Sequence, residues 1–179
     1  KIDVYMVDDD SLATGIDKLD SQTIKGIPKG STIALLVDPK SMGNLFLVKW
    51  ANTRRKAHYA TITRDKKSIK RELKHSRELK SKEERAKLGE VNLYANYQSQ
   101  GELKNNLEKY VSRPAEEQNL ILDNFSMIHE RLSGKEYEKL VRNIMKGTIE
   151  RNGLTVLLLL TTEIEDLSME ERDMLNTVD

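Results

Sequence analysis

Residues 154–160 read LTVLLLL, the longest apolar run in the chain. A membrane span takes roughly 20 apolar residues, so seven form a buried strand instead. A half-exposed strand alternates apolar and polar positions, whereas a strand buried on both faces reads as a continuous apolar run. Residues 32–37 (TIALLV) and 119–123 (NLILD) have the same character, and 58–63 and 91–97 are further strands. Between them lie amphipathic stretches at 44–55, 100–112 and 134–151, and a highly charged one at 68–88 that reads as a helix or a helix pair. Asn152 and Gly153 look like the cap that ends the 134–151 helix. Such alternation predicts an α/β fold, a mostly parallel central sheet flanked by helices on both faces.

The length of 179 residues suits one domain over 1–179, and no Pro/Gly/Ser-rich linker or internal repeat divides it. The chain ends abruptly at 174–179, and one or two further strands are expected after Asp179. Thirty Lys and Arg against 29 Asp and Glu leave no global attraction to nucleic acid or membrane, so any such binding needs a local patch. Cysteine is absent, which excludes a disulfide framework, a thiolate zinc site and a cysteine nucleophile. That composition fits a reducing cytoplasm, the expected location, and residues 1–10 are too acidic for a signal peptide. His58, His75 and His129 share no metal-ligand spacing, so no metal is expected. Trp50, Tyr94, Tyr97, Tyr110 and Tyr137 fall on apolar faces or at element ends and are expected to pack in the core.

Residues 14–50 read TGIDKLDSQTIKGIPKGSTIALLVDPKSMGNLFLVKW. Thr14, Gly15, Ile16, Leu19 and Asp20, followed by Gly26, Ile27, Pro28 and Gly30, a strand, a loop and a helix, keep an order and spacing that resemble the opening of the RecA/KaiC-like, RadA-related P-loop ATPases. Residues 119–128 (NLILDNFSMI) resemble the Walker B strand of that superfamily, with Asp123 at the acidic position. Residues 154–162 resemble the strand that follows, and 175–179 the start of a later one. The resemblance implies a RecA/KaiC-type fold and, in its working members, ATP bound by a loop of pattern Gly-x-x-x-x-Gly-Lys-Ser/Thr.

Against that pattern the eight loop positions here are Asp38, Pro39, Lys40, Ser41, Met42, Gly43, Asn44 and Leu45. Only the second glycine is kept, as Gly43. Asp38 places a negative charge beside the expected triphosphate. Asn44 replaces the lysine that neutralises phosphate charge, and Leu45 has no oxygen for Mg²⁺. Thr63 and Arg64 stand where the resemblance implies two glutamates that activate water, and neither is a general base at neutral pH. Asp123 alone keeps its identity. The expectation is a degenerate pseudo-ATPase with no cofactor, at most weak ATP or ADP binding through loop amides.

Such a domain would act by regulation or scaffolding, through a protein partner, self-assembly or an active RecA-like relative. The stretch from Lys66 to Lys87 holds ten basic residues and four acidic ones. It is either a solvated helix face carrying i,i+4 ion pairs or a nucleic-acid patch, with the former favoured because no aromatic residue interleaves it. The alternatives are therefore a DNA-binding recombinase paralogue in DNA repair and a nucleotide sensor or unorthodox ATPase using Lys40. The likeness also suggests an archaeal or bacterial source.

Overall fold

A computed structural model describes residues 11–12, 27–41, 43–53, 55–95, 100–161 and 163–177. In it the continuous apolar runs come together as one sheet. Two short strands, β1 (Ser11–Leu12) and β2 (Ile27–Pro28), pair antiparallel outside it. The sheet holds β3 (Thr32–Val37), β4 (Ala57–Thr61), β5 (Val91–Ala95), β6 (Asn119–Asp123) and β7 (Thr155–Leu160) in the order β3-β7-β6-β4-β5. Every neighbouring pair is parallel. Every residue of β4 and β6 is buried, which is why those segments show no alternation. From β3 the chain crosses to β4, leaving two places in the sheet that β6 and β7 later fill. The carboxyl ends of β3, β7, β6 and β4 thus share one rim, the place where open α/β sheets hold ligands.

Side chains one apart on a strand point to opposite faces. Ile121 faces α1 (Gly43–Ala51) and α2 (Lys66–Glu78), packing with Leu47, Trp50, Ile69 and Leu73. Leu120 and Leu122 face the other layer, with Leu107, Phe125, Tyr137, Ile144 and Met174. That layer is α4 (Gln100–Val111), α5 (Ser126–His129), α6 (Gly134–Glu150) and α7 (Met169–Leu175). The short α3 (Lys82–Ala86), which follows α2, buries none of its residues. Trp50, Tyr110 and Tyr137 are core residues as expected, while Tyr94 is only half-buried.

Several boundaries differ from the sequence reading, each for a local reason. The 68–88 stretch, read as a helix or a helix pair, is a pair, because Ser81 caps α3: its Oγ accepts the Glu84 N–H and its own N–H donates to the Glu84 carboxylate. Helix α2 starts at Lys66, since the Asp65 carboxylate accepts the Lys67 and Ser68 N–H groups at 2.8 and 3.0 Å. Helix α1 stops at Ala51, where buried Asn52 turns aside to donate to Leu73 O and accept from Arg77 Nε. Strand β4 stops at Thr61 rather than at residue 63. Residues 175–177 do not open a strand: Leu175 closes α7, which Ser168 and Glu171 start with a reciprocal cap. Asn152 takes φ 52°, the left-handed turn expected after α6. Residues 14–20, Gly26, Met42, Tyr97 and positions 178–179 lie outside the described residues.

Candidate functional site

The loop after β3 closes on itself. Asp38 follows Val37 directly, and its Oδ1 accepts the Lys40 N–H at 2.8 Å. Its carbonyl accepts the Ser41 N–H at 2.9 Å. Pro39 has no N–H. The three successive positions 39, 40 and 41 therefore offer no free amide to an anion. Asp38, Pro39, Lys40 and Ser41 are all exposed. Gly43 opens α1 with Asn44 in its first turn, and Leu45 is 42% exposed. The first turn of α1 carries no acidic residue.

A second cluster lies across the rim. Asp123, the last residue of β6, is in register with Thr61, the last residue of β4. It is buried, and Tyr59 donates its hydroxyl to Oδ2 at 2.7 Å. Beyond Thr61 the chain turns sharply. The Thr61 hydroxyl accepts the Thr63 and Arg64 N–H groups at 3.4 and 3.2 Å. This turn sends Arg64 back over the strand ends. Its Nη1 lies 3.6 Å from Asp123 Oδ2, and its Nη2 pairs with Glu72 of α2. After Asp123 the chain turns through Asn124, at φ 61°, and Ser126 accepts the Leu160 N–H on its Oγ at 2.9 Å.

Burial and charge work against each other here. Burial pushes the Asp123 carboxyl above its usual range, opposed by the Tyr59 hydrogen bond and the Arg64 charge. Burial drives the Tyr59 hydroxyl well up, and the neighbouring carboxylate adds to it. For Arg64 burial alone would lower the value, but the hydrogen bond to Glu72 and the surrounding negative charges outweigh it and raise it. Arg64 is therefore a permanent cation beside Asp123. Among the described residues no group of three His, Asp or Glu side chains could hold a metal ion.

Of the residues marked by sequence, the structure gathers 38–41, 43–45 and Asp123 on one rim, at the ends of β3 and β6. It places the basic stretch on α2 and α3, beside the rim rather than in it. Sequence reasoning passed over Tyr59 and Glu72, and saw in Arg64 only a missing base. One signal was available: Glu72 is eight residues after Arg64, two turns along a helix whose cap is Asp65.

The chain matches a described family over residues 11–178. It belongs to the family of unknown function DUF7125. No curated protein matches the chain. Among solved structures the chain is similar to a KaiC-like protein from the hyperthermophilic archaeon Pyrococcus horikoshii OT3. The TM-score is 0.63 at 16% identity, over 92% of this chain and 76% of that one. The DUF7125 chain therefore has a KaiC-like, RecA-type α/β fold. At that identity the likeness shows the fold alone. No helix among its described residues is long and apolar enough to cross a membrane.

Proposed function

We propose that this chain is a pseudo-ATPase, a RecA/KaiC-type domain that does not turn over nucleotide and works as a regulatory or scaffold domain through protein contacts. The observation that carries this is the self-closed loop, where a phosphate would need donors and finds the Asp38 carboxylate already bonded to the Lys40 N–H. A working loop presents its backbone amides to phosphate. The second half of a nucleotide site is answered in the same way. The cation facing Asp123 is Arg64 of the chain itself, and Leu45 has no oxygen to give a Mg²⁺ ion. The residues present do not fit a Mg²⁺–nucleotide, so no chemical step is routed through one.

Calorimetric titration with ATP and ADP in Mg²⁺, up to millimolar nucleotide, tests this. The expected result is no heat beyond dilution. A micromolar dissociation constant, about −8 kcal/mol, would refute it and bring forward the nucleotide sensor built on Lys40.

A further inference from the structure

Residues 66–87 hold ten basic and four acidic residues. On a self-neutralising helix face each carboxylate would pair with a cation one turn away. Here Glu72 turns inward to Arg64, and Glu84 serves the Ser81 cap. Among the described residues the one i,i+4 pair on α2 is Lys74–Glu78, at 3.7 Å. Positive charge is left over, and the structure gathers part of it in one place. A groove of about 490 Å³ lies between α2, α3 and the start of β5. Lys70, Lys74, Arg77 and Arg85 line it, and Leu73 and Val91 add apolar surface.

Arg77 is held in position there. Its Nε donates to the Asn52 side chain at 2.8 Å, and its Nη2 donates to the Gly89 carbonyl at 2.6 Å. Both anchors are themselves fixed. Asn52 is buried and donates to Leu73 O at 3.1 Å, and the Gly89 N–H donates to Thr53 O at 2.8 Å. A Cβ at residue 89 would overlap the Arg55 carbonyl, so the close approach of this turn requires glycine. Both acceptors of Arg77 are neutral, and no carboxylate of a described residue pairs with it. A guanidinium oriented by neutral acceptors keeps its charge for an incoming planar anion and gives up little further freedom to bind it. Glu78 and Glu90 also border the groove, but each already faces a lysine, Lys74 at 3.7 Å and Lys56 at 3.2 Å.

The spacing on α2 selects the shape of the anion. Lys66, Lys70 and Lys74 recur every fourth residue, about 6 Å apart along the helix. On one face of an extended peptide, side chains recur every second residue, about 6.6–6.8 Å apart. We propose that the α2–α3 groove docks an extended acidic segment of a protein partner. Carboxylates at alternate positions of that segment would meet the lysine row and the Arg77 fork, and an apolar side chain on the same face would sit on Leu73 and Val91. This names the partner chemistry of the scaffold reading and rests on its claim that the domain acts by contact. Nucleic acid fits the groove less well. Glu78 and Glu90 would face its phosphates, the apolar lining and the 74% exposed Leu79 at the end of α2 give it nothing, and no aromatic side chain lines the groove to stack on bases.

Fluorescence anisotropy of a fluorescein-labelled synthetic peptide is the test. The peptide carries aspartate at alternate positions with serine between them, and leucine in place of one central aspartate. At about 0.1 M salt, where screening sets in beyond about 10 Å, the full chain should bind it. The same peptide with asparagine for aspartate should not bind. K70E/R85E should weaken binding roughly tenfold or more, whereas K135E/K139E, an equal charge change on exposed positions of α6, should change it less than about twofold. Arg77→Lys keeps the charge but loses the fork, and should weaken binding by about tenfold. Circular dichroism melts of each variant check that it folds. A wild-type chain that does not bind the acidic peptide overturns the proposal. So does a folded Arg77→Lys chain that binds as wild type does, or an equal loss from the α2–α3 and α6 reversals, which would reduce the effect to non-specific attraction. Duplex or single-stranded DNA that displaces the peptide at lower concentration would assign the face to nucleic acid, and likewise overturns it. Nucleotide titration is a separate measurement. If ATP binds and K70E/R85E still removes docking, only the loop reading falls; if neither ATP nor the peptide binds, only the docking inference falls.

Discussion

Removing the Arg64 guanidinium tests the reading of the rim most directly. In Arg64→Ala the Asp123 carboxylate stays buried, 2% exposed, and keeps one donor, the Tyr59 hydroxyl. Breaking a buried pair by deleting one partner costs about 3–5 kcal/mol. The 3.6 Å separation and the surviving Tyr59 bond place this case at the lower end, about 3 kcal/mol. The Glu72 side chain is 26% exposed, so losing its pair adds at most about 1 kcal/mol. Asp123 can relieve the cost by taking a proton. Its carboxyl is already raised by burial, and without Arg64 it rises further. The folded variant then binds a proton more tightly than the unfolded chain. Its stability is greatest below the unfolded carboxyl value, about 4, and is lost as pH rises towards the raised folded value. The deficit relative to wild type should therefore be about 3 kcal/mol at pH 7.5 and clearly smaller at pH 5. Urea unfolding followed by the buried Trp50 gives both numbers, and the melting temperature should drop by roughly 6–12 °C at the higher pH. Asp123→Asn, made in the Arg64→Ala background, should recover most of the loss. A deficit under about 0.5 kcal/mol at pH 7.5, or no recovery from Asp123→Asn, would refute the idea that Arg64 neutralises Asp123.

Asp38→Ala frees the Lys40 N–H and removes a negative charge, so calorimetry should detect pyrophosphate binding at millimolar levels that wild type lacks; Asp38→Asn, which keeps the acceptor, should not show it. His58 is held by Tyr94 and Gln118 and lowered mainly by burial, against the Gln118 hydrogen bond and with help from nearby Lys56, Arg113 and Arg151. The unfolded chain then takes up a proton first, and stability should fall below pH about 6.5 by up to about 1.4 kcal/mol per unit. His58→Gln should flatten that slope in urea midpoints measured from pH 5.5 to 7.5. A Cβ on Gly153 would overlap the Gln118 carbonyl oxygen, a backbone atom that cannot swing away; Gly153→Ala should cost about 2 kcal/mol or more by urea unfolding.

The fold was legible because its signals are local and cumulative. Each buried strand announces itself by a run such as 154–160, and the alternation with helices leaves a parallel sheet as the outcome. The end of β4 was not legible. The apolar signal continues through Ile62, which is buried in the core, and only the Thr61 hydroxyl bonding back to Thr63 and Arg64 ends the strand. Nor was the end of the 175–179 likeness, where the Ser168–Glu171 cap commits the chain to a helix. The site was half legible. Positions 38–45 show in sequence which groups are missing. They do not show what faces Asp123 across the rim, because that depends on pairings 64 residues apart between Tyr59 and Asp123 and 59 apart between Arg64 and Asp123.

Asp123 shows how a residue that resembles a catalytic one can be tied into the structure around it. In sequence it is the one catalytic-looking position left unchanged. In the structure its carboxylate is bonded to Tyr59 and faces Arg64, and it stands where β6 ends against β4. Each of those partners needs it. Without Asp123 the Tyr59 hydroxyl loses its acceptor inside the core, and Arg64 faces the strand ends with Glu72 alone. The same carboxylate that would hold a metal in an active relative of the resemblance is here a structural anion with an internal counter-charge. Arg64 cannot leave without exposing that anion, and Asp123 cannot leave without stranding Arg64. A pair that locks itself in this way holds the rim together through the chain's own charges, as the proposed pseudo-ATPase requires.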